Sequence, residues 1–242
     1  MDIRVMTFNI QHGHVHLSNP GRIDLSVMAD VIRDADADII GMNEVRGRGA
    51  HPDYTAQTEA MAAMLGYHGF FGRSFYVGGW NPYGNAVLSR WPIVEAKVFR
   101  IPDPAAKADA PRFEPRSILR AVIDLPDGGR FAVYASHFGL SHVEAEHAAS
   151  LAAALTAEES LPFALMGDFN VMPDDPVLAP LDASLNETHS LLTSRGELSH
   201  PSHAPADLID YIYTSKAVTV KDVHVHAVVA SDHCPVVAEL SF

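Results

Sequence analysis

The stretch Leu165–Val171, LMGDFNV, follows the apolar residues Phe163 and Ala164 and reads as a buried strand ending in two oxygen-bearing side chains. In an extended chain, residues two apart point to the same side. Asp168 and Asn170 are therefore expected to project together where the chain leaves the core. A carboxylate beside a carboxamide can bind a hard cation or orient a water. It can equally make a turn, because Asp and Asn side chains bond the nearby backbone. The deciding question is whether other strands end the same way.

They do. IRVMTFNI (3–10) carries Asn9 near its end, and ADIIGMNEV (37–45) runs into Asn43 and Glu44. RFAVYASHF (130–138) ends at His137, LIDYIY (208–213) places Asp210 between Ile209 and Tyr211, and VHAVVASDHCPVV (225–237) is interrupted by Asp232 and His233. Segments rich in Val, Ile and aromatics form strands, and each of these delivers an acid, an amide or an imidazole. The set contains no Lys and no Ser nucleophile, which suits a metal and a water.

Between these strands lie helical patterns. IDLSVMADVIRDA (23–35) puts Leu25, Met28, Ala29 and Ile32 on one face, with Asp24 as N-cap. TAQTEAMAAMLG (55–66) is a second helix closed by Gly66. SHVEAEHAASLAAALTAEE (141–159) is the longest, with Ser141 and Glu144 at capping-box spacing. YGNAVLSRWPIV (83–94) reads as strand, turn, strand, and RSILRAVIDLPDGGRFAVYASHF (116–138) as a hairpin turning at Pro126–Gly129. The Pro- and Ala-rich segment from Phe99 to Pro115 reads as a loop forming a pocket wall or lid. A short helix is expected in DDPVLAPLD (174–182), then a polar stretch from Glu187 to Ala206 and two final strands. Strands, helices and hairpins are mixed, which argues for mixed sheets with helices outside. The fold class is α/β.

A chain of 242 residues with 48% hydrophobic and 19% charged residues fits one domain, 1–242, with a sizeable core. The formal net charge is -13. An acidic surface repels nucleic acid at long range, which weakens a nucleic-acid partner without removing it. Cys234 is the only cysteine, so no intramolecular disulfide forms. The chain opens directly on a strand pattern, and no run reaches the roughly 18 apolar residues of a membrane span. The expected location is cytoplasmic. Among 14 histidines, HGHVH (12–16) and HVH (224–226) alternate, but no cysteine or carboxylate in the sequence completes either as a metal site. His12 lies close after Asn9 and is kept as a residue lining the same pocket.

Glu44, Asp232 and Asn9 would form an oxygen-only site, which suits Mg²⁺ or Mn²⁺. A general-base imidazole needs an acceptor on its other nitrogen, and Asp210 can supply one to His233. His137 reads as an acid or as a donor to a phosphoryl oxygen. The best-fitting chemistry is metal-assisted attack of water on a phosphorus ester.

TFNI, NEV, YGNAVLSRWP, SHF, GDFN, IDYIY and SDHCPV, in this order from Thr7 to Val236, resemble the endonuclease/exonuclease/phosphatase superfamily. The resemblance implies a four-layer sandwich of two mixed β-sheets flanked by helices, with the active site at one rim. It implies Glu44 as principal Mg²⁺ ligand with Asn9 beside it, and Asp168 and Asn170 orienting water and phosphate or holding a second metal. It further implies His233 as the base, oriented by Asp210, with Asp232 supporting metal or phosphate. Asn85 and Arg116 fall where the family often contacts the substrate phosphate. Asn43 stands where the family usually has Gln. His137 matches the deoxyribonuclease and sphingomyelinase branches and leans away from abasic-site repair.

The expected activity is hydrolysis of a small-molecule or lipid phosphodiester. A nuclease is the alternative and would gather cations at the rim from Arg46, Arg48, Arg73, Arg90, Arg112, Arg116 and Arg120. A catalytically dead binding module would have lost an essential group, and none is missing.

Overall fold

Alternation along the first strand sets up the layers. In β1 (Asp2–Asn9), Ile3 and Val5 enter one hydrophobic cluster while Met6 and Phe8 enter another. The computed structural model describes residues 1–18, 22–105 and 113–242. It contains two six-stranded mixed sheets. The first takes β1, β2 (Ile39–Arg46), β3 (His68–Val77), β4 (Asn81–Ser89), β11 (Thr219–Val225) and β12 (Val236–Ser241), in the order β11-β12-β1-β2-β4-β3. The second takes β5 (Ile93–Arg100), β6 (Ser117–Asp124), β7 (Arg130–His137), β8 (Phe163–Asp168), β9 (Asn186–Glu187) and β10 (Asp210–Thr214), in the order β5-β6-β7-β8-β10-β9. The pairs β1–β2 and β7–β8 are parallel.

Three clusters make four layers. Between the sheets, Val5, Ile39 and Val87 meet Leu119, Val133, Met166 and Ile212. On the outer side of the first sheet, α1 (Leu25–Asp34) and α2 (Gln57–Leu65) bury Met28, Ile32 and Met61 against Met6, Phe8 and Met42. On the outer side of the second, α3 (His142–Ala157) and α4 (Ala179–Ser184) cover Tyr134, Leu165 and Tyr211 with Ala145, Ala148, Ala152 and Leu181. The small residues of α3 let it lie close to the sheet. Asp24 caps α1 through the Ser26 amide, Ser141 and Glu144 form the expected capping box, and Gly66 ends α2 at φ 72°. α5 (His189–Ser194) follows β9. None of the helices described is long and apolar enough to cross a membrane.

Several sequence expectations change. β4 and β5 are joined by a turn but belong to different sheets, so this turn carries the chain from one layer to the other. β3 and β9 were not foreseen. The segment VHAVVASDHCPVV is strand only at its two ends. Its centre is a loop whose backbone is satisfied elsewhere: the Cys234 amide donates to the Ser199 carbonyl at 2.7 Å and the Ser202 amide to the Asp232 carbonyl at 2.7 Å. Three strands rather than two finish the chain. β5 extends to Arg100, so the loop expected between Phe99 and Pro115 begins at Ile101, and its centre, with Arg112, lies outside the described residues.

Candidate active site

The side chains of the site are mostly the last inward-facing positions of their strands. Asn9 continues the Ile3–Val5–Thr7 parity of β1, Asn43 the Ile39–Gly41 parity of β2, and Asn85 that of Val87 in β4. In the second sheet His137 follows Val133 and Ala135, Asp168 follows Ala164 and Met166, and Asp210 precedes Ile212. Register completes the row, because Asp168 pairs with His137 on one side and Asp210 on the other. Both sheets thus run out of apolar residues at the same rim.

Glu44 departs from this pattern. Parity would send it outward with Met42, away from the rim. Instead the β2–β4 register slips between Met42 and Val45, and Glu44 takes φ 59°. A bulge of this kind re-aims a side chain, and Glu44 lines the cleft. Its Oε1 accepts from Asn9 Nδ2 at 3.3 Å and its Oε2 from the Tyr83 hydroxyl at 2.7 Å. Burial, followed by the Glu44 charge, raises the Tyr83 phenol, so it remains a donor.

Asp168 is the hub. Its Oδ2 accepts from Asn9 Nδ2 at 3.0 Å and lies 3.4 Å from His137 Nε2 and 3.6 Å from His233 Nε2. Its Oδ1 accepts from the Asn170 amide at 3.0 Å. The turn reading of Asp168 and Asn170 therefore describes their local geometry: Asn170 sits at φ 53°, and its Nδ2 donates to the Phe138 carbonyl at 3.1 Å while the residue still lines the cleft. Burial raises the Asp168 carboxyl well above the carboxylate range; the His233 charge opposes the rise and Asp210 adds to it.

His233 arrives from the loop before β12. Its Nδ1 lies 2.8 Å from Asp210 Oδ2. Burial alone would lower the imidazole, but the Asp210 and Asp168 carboxylates outweigh it and raise it above its ordinary value. His137 moves the other way. Burial, with the Arg116 and His233 charges adding, holds it well below its ordinary value and hence neutral.

Glu44, Asn9, Asp168, Asn170, His137, Asp210 and His233 are brought together. Arg116 also reaches the cleft, paired with Glu114 at 3.0 Å, and so does His12. Four expected residues do not line it: Asn9 and Asp210 sit behind the lining residues they bond, Glu44, Asp168 and His233, and Asn85 and Asp232 lie further off. Asn85 is buried, its Oδ1 accepting from Asn43 and its Nδ2 donating to the Ser117 carbonyl, each at 2.9 Å. Asp232 accepts from Gln11 Nε2 at 2.7 Å and from the Ser231 hydroxyl at 3.0 Å, beside His200 and His233. Asn43 ties the sheets together beneath the site: its Nδ2 donates to the Ser136 carbonyl at 2.9 Å and its Oδ1 accepts from the Asp168 amide at 3.0 Å. Sequence reasoning missed Tyr83, Gln11, Tyr54 and Phe75, and named Arg46, which joins Tyr54 and Phe75 in the wall, only as a rim cation of the nuclease alternative. None lies in a strand-end acid or imidazole pattern.

The donor chemistry fits a divalent cation. Two carboxylates, Glu44 and Asp168, share the single Asn9 amide donor, and Asp168, Asp210 and His233 hold ligand atoms within 4.8 Å of one another. No thiolate is near enough to join them, and clustered oxygen donors suit a hard ion.

A family model for the endonuclease/exonuclease/phosphatase family matches residues 6–233. No curated protein sequence matches the chain. An endonuclease/exonuclease/phosphatase from Beutenbergia cavernae is 26% identical, with all of this chain and 72% of that one aligned at a TM-score of 0.78. A mannosyl-6-phosphatase of Bacteroides thetaiotaomicron is 22% identical over 99% of this chain and 100% of that one, at a TM-score of 0.77. The human Nocturnin catalytic domain with bound sulfate is 21% identical over 100% of this chain and 93% of that one, at a TM-score of 0.74. The last two show the shared fold. With a family match running through nearly all of its length, this chain belongs to the endonuclease/exonuclease/phosphatase family.

Proposed function

We propose that the chain is a metal-dependent phosphoesterase that hydrolyses a small-molecule or lipid phosphate ester, a phosphodiester first among them. The observation that carries this reading is the buried Asp210–His233–Asp168 arrangement, beside Glu44 and Asn9, in one cleft with Arg116. Asp210 holds His233 by Nδ1, which leaves Nε2 facing the cleft as the atom that would take a proton from water when a bound cation offsets the carboxylate charge that otherwise keeps the ring protonated. Neutral His137 and the Arg116 guanidinium are donors for charge that grows on the phosphoryl oxygens. Glu44, with Asn9 and Asp168, would hold Mg²⁺ or Mn²⁺. Such an ion, when bound, neutralises the phosphate and the leaving oxygen.

The cleft measures about 430 Å³ and is walled in part by Tyr54, Phe75, Tyr83 and Leu140, a size and lining that suit a small ligand. Of the arginines a nuclease would gather, Arg46 and Arg116 line the cleft, but Arg90 pairs with Asp36 and Asp38, Arg120 with Glu95 and Glu159, and Arg73 lies over Tyr76. With a net charge of -13, this favours the small-molecule reading over the nuclease.

The test is hydrolysis of sugar phosphates, inositol phosphates, phosphocholine lipids and supercoiled plasmid, with Mg²⁺ and with chelator, by wild type and His233→Ala. Metal-dependent release of phosphate or alcohol by the wild type alone is expected. Nicking of plasmid with no turnover of small esters makes the protein a nuclease. No turnover of any substrate refutes both.

A further inference from the structure

Arg46 carries unmet hydrogen-bonding capacity in the cleft wall. Its Nε and Nη1 are buried and make no hydrogen bond. Arg116, in the same cleft, also leaves its Nε unpartnered but is neutralised by Glu114, whereas Arg46 has no carboxylate partner among the described residues. The side chain is nonetheless held. Its guanidinium carbon lies 4.7 Å from the centroid of the Tyr54 ring, and its backbone amide donates to Gln57 Oε1 at 2.9 Å.

Gln57 is fully buried, and its Nε2 donates to the His12 carbonyl at 2.7 Å. One buried amide therefore fixes both Arg46 and His12 in place. His12 has an unpartnered buried nitrogen of its own, Nδ1, and occupies the left-handed region at φ 47°. Burial, then the Arg46 charge, lowers the imidazole to about 4. It is neutral at physiological pH and can donate from one ring nitrogen. A buried donor without a partner is costly, and two side chains here leave three nitrogens unpartnered.

Position relates this wall to the reacting centre. Arg46 lies two residues beyond Glu44 on β2, and both line the same cleft of about 430 Å³. A group seated at Arg46 thus belongs to the same small ligand as one seated at Glu44. The forked guanidinium matches oxyanions, and the neutral His12 imidazole in the same wall adds a donor without adding charge.

We infer that Arg46, with His12, binds a second phosphoryl group of the substrate, so that the cleft selects small bisphosphates over the corresponding monophosphates. This inference rests on the phosphoesterase reading for the word substrate, and on the wall alone for the binding.

The test is isothermal titration calorimetry of the full chain with Mg²⁺ and, in a second arm, with chelator; the Mg²⁺ arm decides, because bare Glu44 and Asp168 repel a phosphoryl group. Propanediol, butanediol and hexanediol bisphosphates are each compared with their monophosphate, for wild type, Arg46→Met and Arg46→Lys. Wild type is expected to bind at least one bisphosphate about 10–100-fold more tightly than its monophosphate, the range of charge-assisted hydrogen bonds. Arg46→Met should remove that advantage and Arg46→Lys restore part of it. The inference is overturned if no bisphosphate in the series outbinds its monophosphate in wild type, a result that does not depend on any variant folding. It is equally overturned if the advantage survives in Arg46→Met. Hydrolysis is scored separately. Turnover of phosphate esters without the bisphosphate preference sinks this inference alone. The preference without turnover of any ester keeps the anion site and sinks the phosphoesterase reading.

Discussion

His233 Nδ1 and Asp210 Oδ2 lie 2.8 Å apart, both residues are buried, and the other oxygen of Asp210 has no hydrogen-bond partner. The carboxylate is thus committed to the imidazole. Asp210→Asn should keep the shape of the pair while removing the charge that raises His233. Activity should fall by about 10²–10⁴-fold, the usual contribution of a positioned acid–base group and its orienting partner. The imidazole should titrate at lower pH in the variant, read by ¹⁵N chemical shifts of the chelated protein. The sign for stability follows from the raised value. Pairing contributes stability below the ordinary histidine pKa and loses it as pH rises through the raised one. An imidazole that titrates at the same pH in both proteins refutes this account of the pair.

The Tyr83 hydroxyl donates to Glu44 Oε2 at 2.7 Å. It holds one oxygen of the carboxylate that the bulge in β2 aims into the cleft. Tyr83→Phe deletes that donor and little else. Metal affinity should fall about 10–100-fold, as it does when a hydrogen-bond partner of a metal ligand is removed. Calorimetric titration with Mn²⁺ and Mg²⁺ checks this. Unchanged affinity for both ions would place the ion away from Glu44.

Much of the site was legible because strand parity carries information. Asn9, His137, Asp168 and Asp210 are polar residues at the core-facing end of apolar strands, and the period of two that buries Val5, Val133, Met166 and Ile212 also places them. Glu44 was legible only as an acid after an apolar run. Its aim depends on a register slip and a positive φ that the residue pattern does not encode. His233 was read as part of a strand because its neighbours are apolar, whereas those neighbours are buried by loop contacts with Ser199 and Ser202. Tyr83 escaped because its role comes from which strands meet, and Arg46 was legible only as one of several arginines that could reach the rim. The β4–β5 crossing between sheets was hidden for the same reason, since a turn looks alike whether or not its strands pair.

Gly167 sits at φ 151° between Met166 and Asp168, and a Cβ added there would come within 1.7 Å of the Ser136 carbonyl oxygen. The parallel pairing of β7 with β8 allows nothing larger at this point. Gly167→Ala must displace backbone on the strand that bears Asp168. It should cost roughly 2–4 kcal/mol of stability, combining backbone strain with overpacking, and should lower activity beyond the loss of folded protein. Denaturant melts, with activity measured at matched folded fractions, check both parts. Wild-type stability in the variant would show that the strands can separate without cost.

Glu159 follows the C-cap of α3 and ties the chain there to β6 and β7. Its Oε2 accepts from Arg120 Nε at 2.7 Å and from the Tyr134 hydroxyl at 2.9 Å, and its Oε1 from the amides of Ser160 and Leu161 at 2.9 and 3.0 Å. Its side chain is 4% exposed. Burial opposes ionisation, but the Arg120 hydrogen bond and the other donors outweigh it and lower the carboxyl below its ordinary value. A lowered carboxylate contributes stability above its unfolded pKa and loses it as pH falls through the folded one. Glu159→Gln should therefore destabilise the protein by about 2–3 kcal/mol at neutral pH, because it leaves Arg120 without its buried partner. The gap from wild type should narrow as pH falls below the ordinary glutamate pKa of about 4.3. Thermal melts across the acid range test the sign. A gap that stays constant or widens on acidification would mean that packing, and not the charge of Glu159, holds α3 to the sheet.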